Sequence, residues 1–255
     1  MKLELGLNSD FTGRLVRFAG IVGIGLGLIA GASAAAQQTM HAQAQNYVSR
    51  YDVFAGFTDI DSPALGLNQK GFHTQAGVIL RRWLSMGGDY SVASGHETLT
   101  TGLLNATLQA RVAGAQAGFI KAGLLPPNYV LMVPTDAFTQ TFAFGPQLTF
   151  RHFSKATFFL RPSLGALREH AVPKSTDPFE SVIVKGLAPA GFKTDWTGFY
   201  GAGGGVDFAL SKHLGVRAQM DAVYNHPFDD LLASGRMTYR YSVGPSFHFG
   251  RDVGK

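Results

Sequence analysis

The sequence predicts an all-β fold, an eight-stranded antiparallel up-and-down transmembrane β-barrel with small helices in long extracellular loops. Three observations support this prediction. Apolar residues alternate with polar or small ones in eight separate segments, which is the period of a β-strand. Tight turns and long links alternate between those segments, as they do in transmembrane barrels. Charged residues make up only 15% of the 255 residues, well below the roughly 25% typical of soluble domains.

The N-terminus has the parts of a secretory signal peptide. Lys2, Arg14 and Arg17 are basic, and an apolar run follows at residues 18–31. That run is shorter than the roughly 20 residues of a membrane-spanning helix. Small residues then allow cleavage after Ala34 or Ala36. We therefore predict an exported chain, with an uncleaved anchor or a later start residue as alternatives. The predicted divisions are a signal peptide at 1–36, a short tail at 37–49, the barrel at 50–250 and a C-terminal tail at 251–255.

Strict alternation defines the eight candidate strands. They span residues 50–58, 71–81, 84–92, 138–153, 157–167, 195–210, 214–224 and 236–249. Tight turns are predicted at 82–83, 152–156 and 211–213. Long links are predicted at 59–70, 93–137, 168–194 and 225–235. An even number of strands places both chain ends at the short-turn end of the barrel.

Two of the long links contain helical patterns. Apolar residues recur near helical spacing in residues 103–125. In the second pattern, Asp177 is a suitable N-cap and Pro178 suits the first helical position. We interpret both segments as small helices that cap the barrel mouth. Binding of a partner or a membrane surface through their apolar faces is the alternative.

The bulky rows of the strands are predicted to face lipid rather than the interior. A soluble barrel would place them inside, but so many aromatic side chains would overfill an eight-stranded lumen. The opposite rows are also poor in Lys and Glu, which a water-facing surface would carry. The predicted lipid-facing aromatics are Phe138, Phe142, Phe144, Phe150, Trp196, Tyr200, Tyr239, Tyr241, Phe247 and Phe249. A soluble periplasmic barrel remains the rival fold.

Four segments carry a resemblance to a known family: TFAFGPQLTFRH, FLRPSLGA, YGAGGGVDFALSKHLGVRAQMDAVY and RYSVGPSFHFG. This pattern resembles the OmpA-like outer-membrane β-barrel family, over about residues 50–250. The resemblance implies the outer membrane of a Gram-negative bacterium, contact with its lipid and lipopolysaccharide, and assembly by periplasmic chaperones and the barrel-assembly machinery. Such barrels commonly end on an aromatic residue, whereas residues 250–255 follow Phe249 here. Wall anchoring in the manner of OmpA is not implied.

The inward rows predict a polar network in the lumen. Its members are Asp89, Gln147, Arg161, Asp207, Arg217, Gln219, Asp221 and Arg240, with His248 nearby. Opposite charges in a narrow lumen should pair, because an unpaired buried charge is costly. A structural plug is therefore the leading interpretation. A gated path for small solutes and a catalytic carboxylate pair are the alternatives.

Other functional classes find little support in the sequence. Lys and Arg residues are scattered along the chain, whose net charge is +5, so no nucleic-acid partner is expected. The chain contains no cysteine, which excludes thiol chemistry. His226, Asp229 and Asp230 suit a rim site of an outer-membrane lipid hydrolase, but Asn, Pro and Asp are ordinary turn residues. Glycines at 201–205 lie inside a strand, not before a helix, so they do not predict phosphate binding.

We predict a structural or surface-interaction role with no catalysis, cofactor or metal. A small-solute porin is the alternative, and a lipid hydrolase is third.

Overall fold

The computed structural model describes residues 47–153 and 155–253. Eight antiparallel strands pair in chain order, and β8 pairs back with β1, so the sheet closes into a barrel. The strands are β1 Ser49–Ser62, β2 Leu67–Arg81, β3 Leu84–Thr100, β4 Met132–Phe150, β5 Ala156–Pro173, β6 Lys193–Ala209, β7 Leu214–Asn225 and β8 Arg236–Asp252. The predicted eight-stranded up-and-down barrel is confirmed. The predicted signal peptide lies outside the described residues.

The link between β1 and β2 is not the long loop that the sequence predicted. A short 3-10 turn at Pro63–Leu65 joins the two strands, and Gly66 follows it with a left-handed φ of 59°. The ladder continues beyond the apolar rows because polar side chains of the two strands meet across it. Asn68, for example, donates a hydrogen bond to Asp59 at 3.2 Å. The three remaining long links, at 101–131, 174–192 and 226–235, make up the loop end of the barrel.

The strands that border the two longer links, 101–131 and 174–192, extend further towards the loop end than predicted. β3 and β4 remain paired up to Thr100 and Met132, although the outward row of β3 becomes polar after Val92 with Ser94, His96 and Thr98. Alternation between apolar and polar residues disappears there, so the sequence signal ends before the hydrogen-bonded ladder does. This upper part of the barrel therefore stands beyond the apolar band.

A continuous apolar band surrounds the outside of the barrel. All ten predicted lipid-facing aromatics lie in outward rows, and Phe138, Tyr239 and Tyr241 are the half-buried ones. Phe144 and Tyr200 are 65% and 61% exposed. Contiguous apolar surface on this scale is unusual for a soluble monomer. Neither helix in the described part of the chain has the length and apolarity needed to span a membrane.

Two helices cover part of the loop end. The helices are α1 Ala106–Lys121 and α2 Pro178–Leu187. Both were predicted, and they pack around a small core that includes Val112, Phe179 and Ile183. The interpretation of these helices as caps over the barrel mouth is therefore supported by their packing.

Asp177 begins α2 as the sequence predicted. Its side chain accepts a hydrogen bond from the Glu180 backbone N–H at 2.7 Å. It also accepts one from the Tyr129 hydroxyl at 2.6 Å. Burial and then this bond raise the pKa of the Tyr129 phenol above its ordinary value. The phenol therefore stays a donor and ties the link after α1 to the start of α2.

Replacing Asp177 with alanine is expected to lower the stability of α2 by about 1 kcal/mol, because an N-cap acceptor is lost. Amide hydrogen exchange of α2 measures this as faster opening of the helix. Asp177→Asn keeps an acceptor oxygen and should retain most of the protection. Equal exchange in the alanine variant and the wild type would show that tertiary packing alone holds the helix.

Candidate functional site

The barrel lumen is crossed at mid-height by four charged side chains, which we call the middle layer: Asp89, Arg161, Asp221 and Arg240. Arg240 donates two hydrogen bonds to Asp221 Oδ2, at 3.0 Å from Nε and 2.8 Å from Nη2. Its Nη1 reaches Asp89 on the other side of the lumen at 3.1 Å. Arg161 bonds the same two carboxylates, each at 3.0 Å. The two guanidinium and two carboxylate groups balance in charge and link strands β3, β5, β7 and β8.

A second charged group, the lower layer, lies nearer the short-turn end and consists of Asp52, Asp207 and Arg217. Arg217 Nη2 lies 2.8 Å from both Asp52 Oδ2 and Asp207 Oδ2. Its guanidinium carbon also lies 5.8 Å and 5.1 Å from the ring centres of Phe54 and Phe159. Aromatic faces at this distance stabilise a cation. The lower layer is therefore both ion-paired and packed.

A third charged group, the upper layer, lies near the loop end and consists of Glu97, Glu169 and Arg236. Arg236 Nη2 donates a short hydrogen bond to Glu169, while its Nη1 lies 3.9 Å from Glu97 Oε2. Burial, followed by the nearby Glu169 carboxylate and opposed by Arg236, raises the pKa of Glu97 to about 7. This layer differs from the middle one because two carboxylates share one guanidinium.

The glycine run of β6 makes room for the middle layer. Gly203 lies opposite Asp221 in the ladder, and a Cβ at this position would lie 1.8 Å from Asp221 Oδ1. Any larger residue would displace the carboxylate that two arginines need. Gly203 therefore eases the packing of side chains in the lumen.

All eight residues of the predicted polar network point into the lumen. Gln147 accepts a hydrogen bond from Gln75 at 3.1 Å, and Gln219 lies 2.9 Å from His73 Nδ1. His248 lies 3.4 Å from Asp207. The structure thus brings the six charged members into two layers rather than one network.

Sequence reasoning missed four charged members of the layers: Asp52, Glu97, Glu169 and Arg236. The alternation of β3 and β5 contained the signal for two of them. Counting in steps of two from the inward residues Ser91 and Leu167 leads to Glu97 and Glu169. Both positions had been assigned to long loops, where such counting is not applied.

The rim residues of the proposed hydrolase site do not assemble into a catalytic group among the described residues. Asp230 forms a salt bridge with Lys193 at 2.5 Å rather than with His226. Asp229 is exposed. The Nε2 atom of His226 is buried and makes no hydrogen bond within the described part of the chain.

The charged layers divide the lumen into separate cavities. The cavity at the short-turn end is bordered by Arg151, Lys155, Lys212, Arg217 and His248. A smaller one lies between the upper and middle layers, with Gln69, Thr139 and Arg236 in its wall. The cavity at the loop end is mostly apolar and has Glu97 and Arg236 in its wall.

Comparison with known proteins yields matches in structure alone. No protein-family description matches the chain. No curated protein matches it in sequence.

Several solved structures are similar in fold, at low identity. The Neisserial surface protein A, NspA, is 11% identical with a TM-score of 0.47, over 78% of this chain and 96% of that chain. Ail, the attachment invasion locus protein of Yersinia pestis, is 13% identical with a TM-score of 0.43, over 79% and 97%. The outer membrane protein OprG from Pseudomonas aeruginosa is 9% identical with a TM-score of 0.41, over 82% and 100%. At this identity the similarity concerns the fold alone.

Proposed function

We propose that this chain is an outer-membrane β-barrel of the OmpA-like kind, with a plugged lumen and a structural or surface-interaction role. The proposal rests on the polarity of the barrel, whose outside is apolar and whose inside is charged. Transmembrane barrels have this arrangement because lipid surrounds the outward rows while the inward rows are polar. Closure of the sheet also leaves no strand edge, which lipid could not satisfy.

The middle layer supports a plugged lumen. Arg240 reaches carboxylates on β3 and β7 at once, and Arg161 reaches the same two from β5. Every one of these four side chains is at least nine-tenths buried. A hydrated ion would have to separate these charge-assisted hydrogen bonds, and such bonds are the strong ones.

The loop end supports interaction at the cell surface. Leu124, Val130, Val182 and Phe192 lie in or beside the two helices and are each about half exposed or more. These residues extend beyond the apolar band and would meet the extracellular medium. Lipopolysaccharide around the outer face and the barrel-assembly machinery during insertion are the partners that this location requires. We assign the rim residues His226, Asp229 and Asp230 a structural role.

Cell fractionation tests the location. We expect the protein in the outer-membrane fraction, with a gel mobility that changes on heating because the folded barrel resists detergent. Recovery in the soluble periplasm would refute the assignment and favour the soluble barrel.

Planar-bilayer recording tests the plug. We expect the wild-type protein to give no unitary currents. The double variant Asp89→Ala with Arg240→Ala removes a charge-neutral pair from the middle layer alone and should also give no currents, because the lower and upper layers still cross the lumen. Lys193→Ala with Asp230→Ala removes a neutral pair at the rim and should stay silent. Clear wild-type currents would instead identify a small-solute channel.

A further inference from the structure

The cavity at the loop end, which we call the vestibule, has apolar walls and a charged floor. Leu99, Leu103, Ala171, Phe228, Leu231 and Leu232 contribute its walls. Because the cavity is concave and mostly apolar with a few convergent polar groups, it has the features of a small-molecule site.

Two members of the upper layer, Glu97 and Arg236, line the floor of the vestibule, and Arg236 pairs with Glu169. Arg236 is 5% exposed and Glu169 is fully buried. Arg236 Nε and Nη1, Glu97 Oε2 and Glu169 Oε1 are buried atoms with no hydrogen-bond partner among the described residues. A buried polar atom without a partner is costly, so the upper layer is less completely paired than the middle layer.

The charge of the floor selects between ligands. Glu169 is neutralised by its hydrogen bond from Arg236, and Glu97 has only the 3.9 Å approach of Arg236 Nη1. Lys193 also lines the vestibule, but it already pairs with Asp230 at 2.5 Å. When both glutamates are ionised, the floor therefore has one uncompensated negative charge.

Backbone hydrogen bonds hold the segments that form the walls of the vestibule in place. Asn105 N–H donates to the Leu231 carbonyl at 2.8 Å, and Ala233 N–H donates to the Leu103 carbonyl at 2.9 Å. Phe228 has a left-handed φ of 54°, and its N–H donates to Asp195 at 2.5 Å. Strained residues of this kind persist only where surrounding contacts enforce them, and they cluster at ligand sites. The walls are therefore formed before any ligand enters.

We propose that the vestibule binds a small amphiphilic monocation, with its ammonium group on Glu97 and its aliphatic body against the leucines. The cation would compensate the surplus negative charge of the floor, where the Glu97 side chain is 11% exposed. A short alkyl chain would remove apolar wall from water, which is favourable by about 25 cal/mol per Å². The site lies above the middle layer, so this proposal is independent of whether the lumen conducts.

Three probes of equal tail length test the proposal on the purified full-length protein in lipid nanodiscs: n-butylammonium, butyrate and n-butanol. Saturation-transfer NMR, with empty nanodiscs subtracted, reports binding. We expect n-butylammonium to bind at least tenfold more tightly than butyrate or n-butanol. Equal or tighter binding of butyrate would overturn the proposal, and so would the absence of any binding by n-butylammonium.

Two further measurements locate the site. Glu97→Gln keeps the shape of the side chain and should weaken n-butylammonium binding at least tenfold. Asp229→Asn removes the same charge from an exposed position on the rim and should change affinity by less than about twofold. An unchanged affinity in Glu97→Gln would overturn the assignment.

The wild-type protein supplies a test that needs no variant. Binding of the cation requires ionised Glu97, whose neighbours are Glu169, Arg236 and Lys193, so affinity should rise about tenfold between pH 6 and pH 8. An affinity independent of pH over this range would also overturn the proposal.

Discussion

Replacing Asp221 with alanine is expected to lower the free energy of unfolding by about 3–5 kcal/mol, the usual cost of breaking a buried ion pair. Asp221 is fully buried and accepts hydrogen bonds from Arg161, Arg240 and Ser163. Without it, two buried guanidinium groups would share the single carboxylate of Asp89. Among the described residues, no carboxylate other than Asp89 pairs with these two arginines once Asp221 is removed.

Urea unfolding of the barrel in lipid vesicles measures this loss. Asp229→Ala removes an exposed carboxylate and should change stability by no more than about 0.5 kcal/mol. A loss below about 1 kcal/mol in Asp221→Ala would mean that water enters the middle layer and solvates its arginines. That result would favour the small-solute channel over the plug, so this stability measurement also bears on function.

Part of the middle and lower layers could be predicted because hairpins set their own register. The tight turn at 211–213 pairs β6 with β7, which places Asp207 opposite Arg217 and Gly203 opposite Asp221. Both pairings follow from the turn position and the alternation alone. The contact of Arg240 with Asp89 does not follow, because it crosses the lumen and depends on how the sheet closes.

The upper layer could not be recognised from the sequence because the two faces of its strands no longer differ in polarity. On β3, the outward residues His96 and Thr98 are as polar as the inward Glu97. Strand prediction relies on a difference in polarity between the inward and outward rows. In this barrel the difference exists only where lipid surrounds the outward row. Where the barrel stands above the apolar band, both faces meet water or polar groups, so the pattern disappears although the ladder continues. The missed turn after β1 has the same cause.

Replacing Glu97 with glutamine is expected to make the barrel more stable than the wild type at pH 8, by up to about 3 kcal/mol. This magnitude follows because each tenfold difference in proton affinity between the folded and unfolded states corresponds to about 1.4 kcal/mol. The pKa of Glu97 is raised from 4.5 to about 7, through burial first and Glu169 second, against the opposing effect of Arg236. The folded state binds the proton more tightly than the unfolded chain does, so wild-type stability falls as the pH rises from about 4.5 to about 7. Glutamine cannot ionise and escapes this loss.

The measurement is the difference in unfolding free energy between Glu97→Gln and the wild type, taken in urea at pH 5 and at pH 8 without any amphiphile. Titrating groups outside the upper layer contribute equally to both proteins and cancel in this difference, which should be small at pH 5 and large at pH 8. Asp229→Asn, with its exposed carboxylate, should show the same difference at both values. If the Glu97→Gln difference did not grow with pH, Glu97 would be ionised and solvated in the folded barrel already at pH 5. The floor of the vestibule would then be a wet surface rather than a buried charge that a cation can compensate.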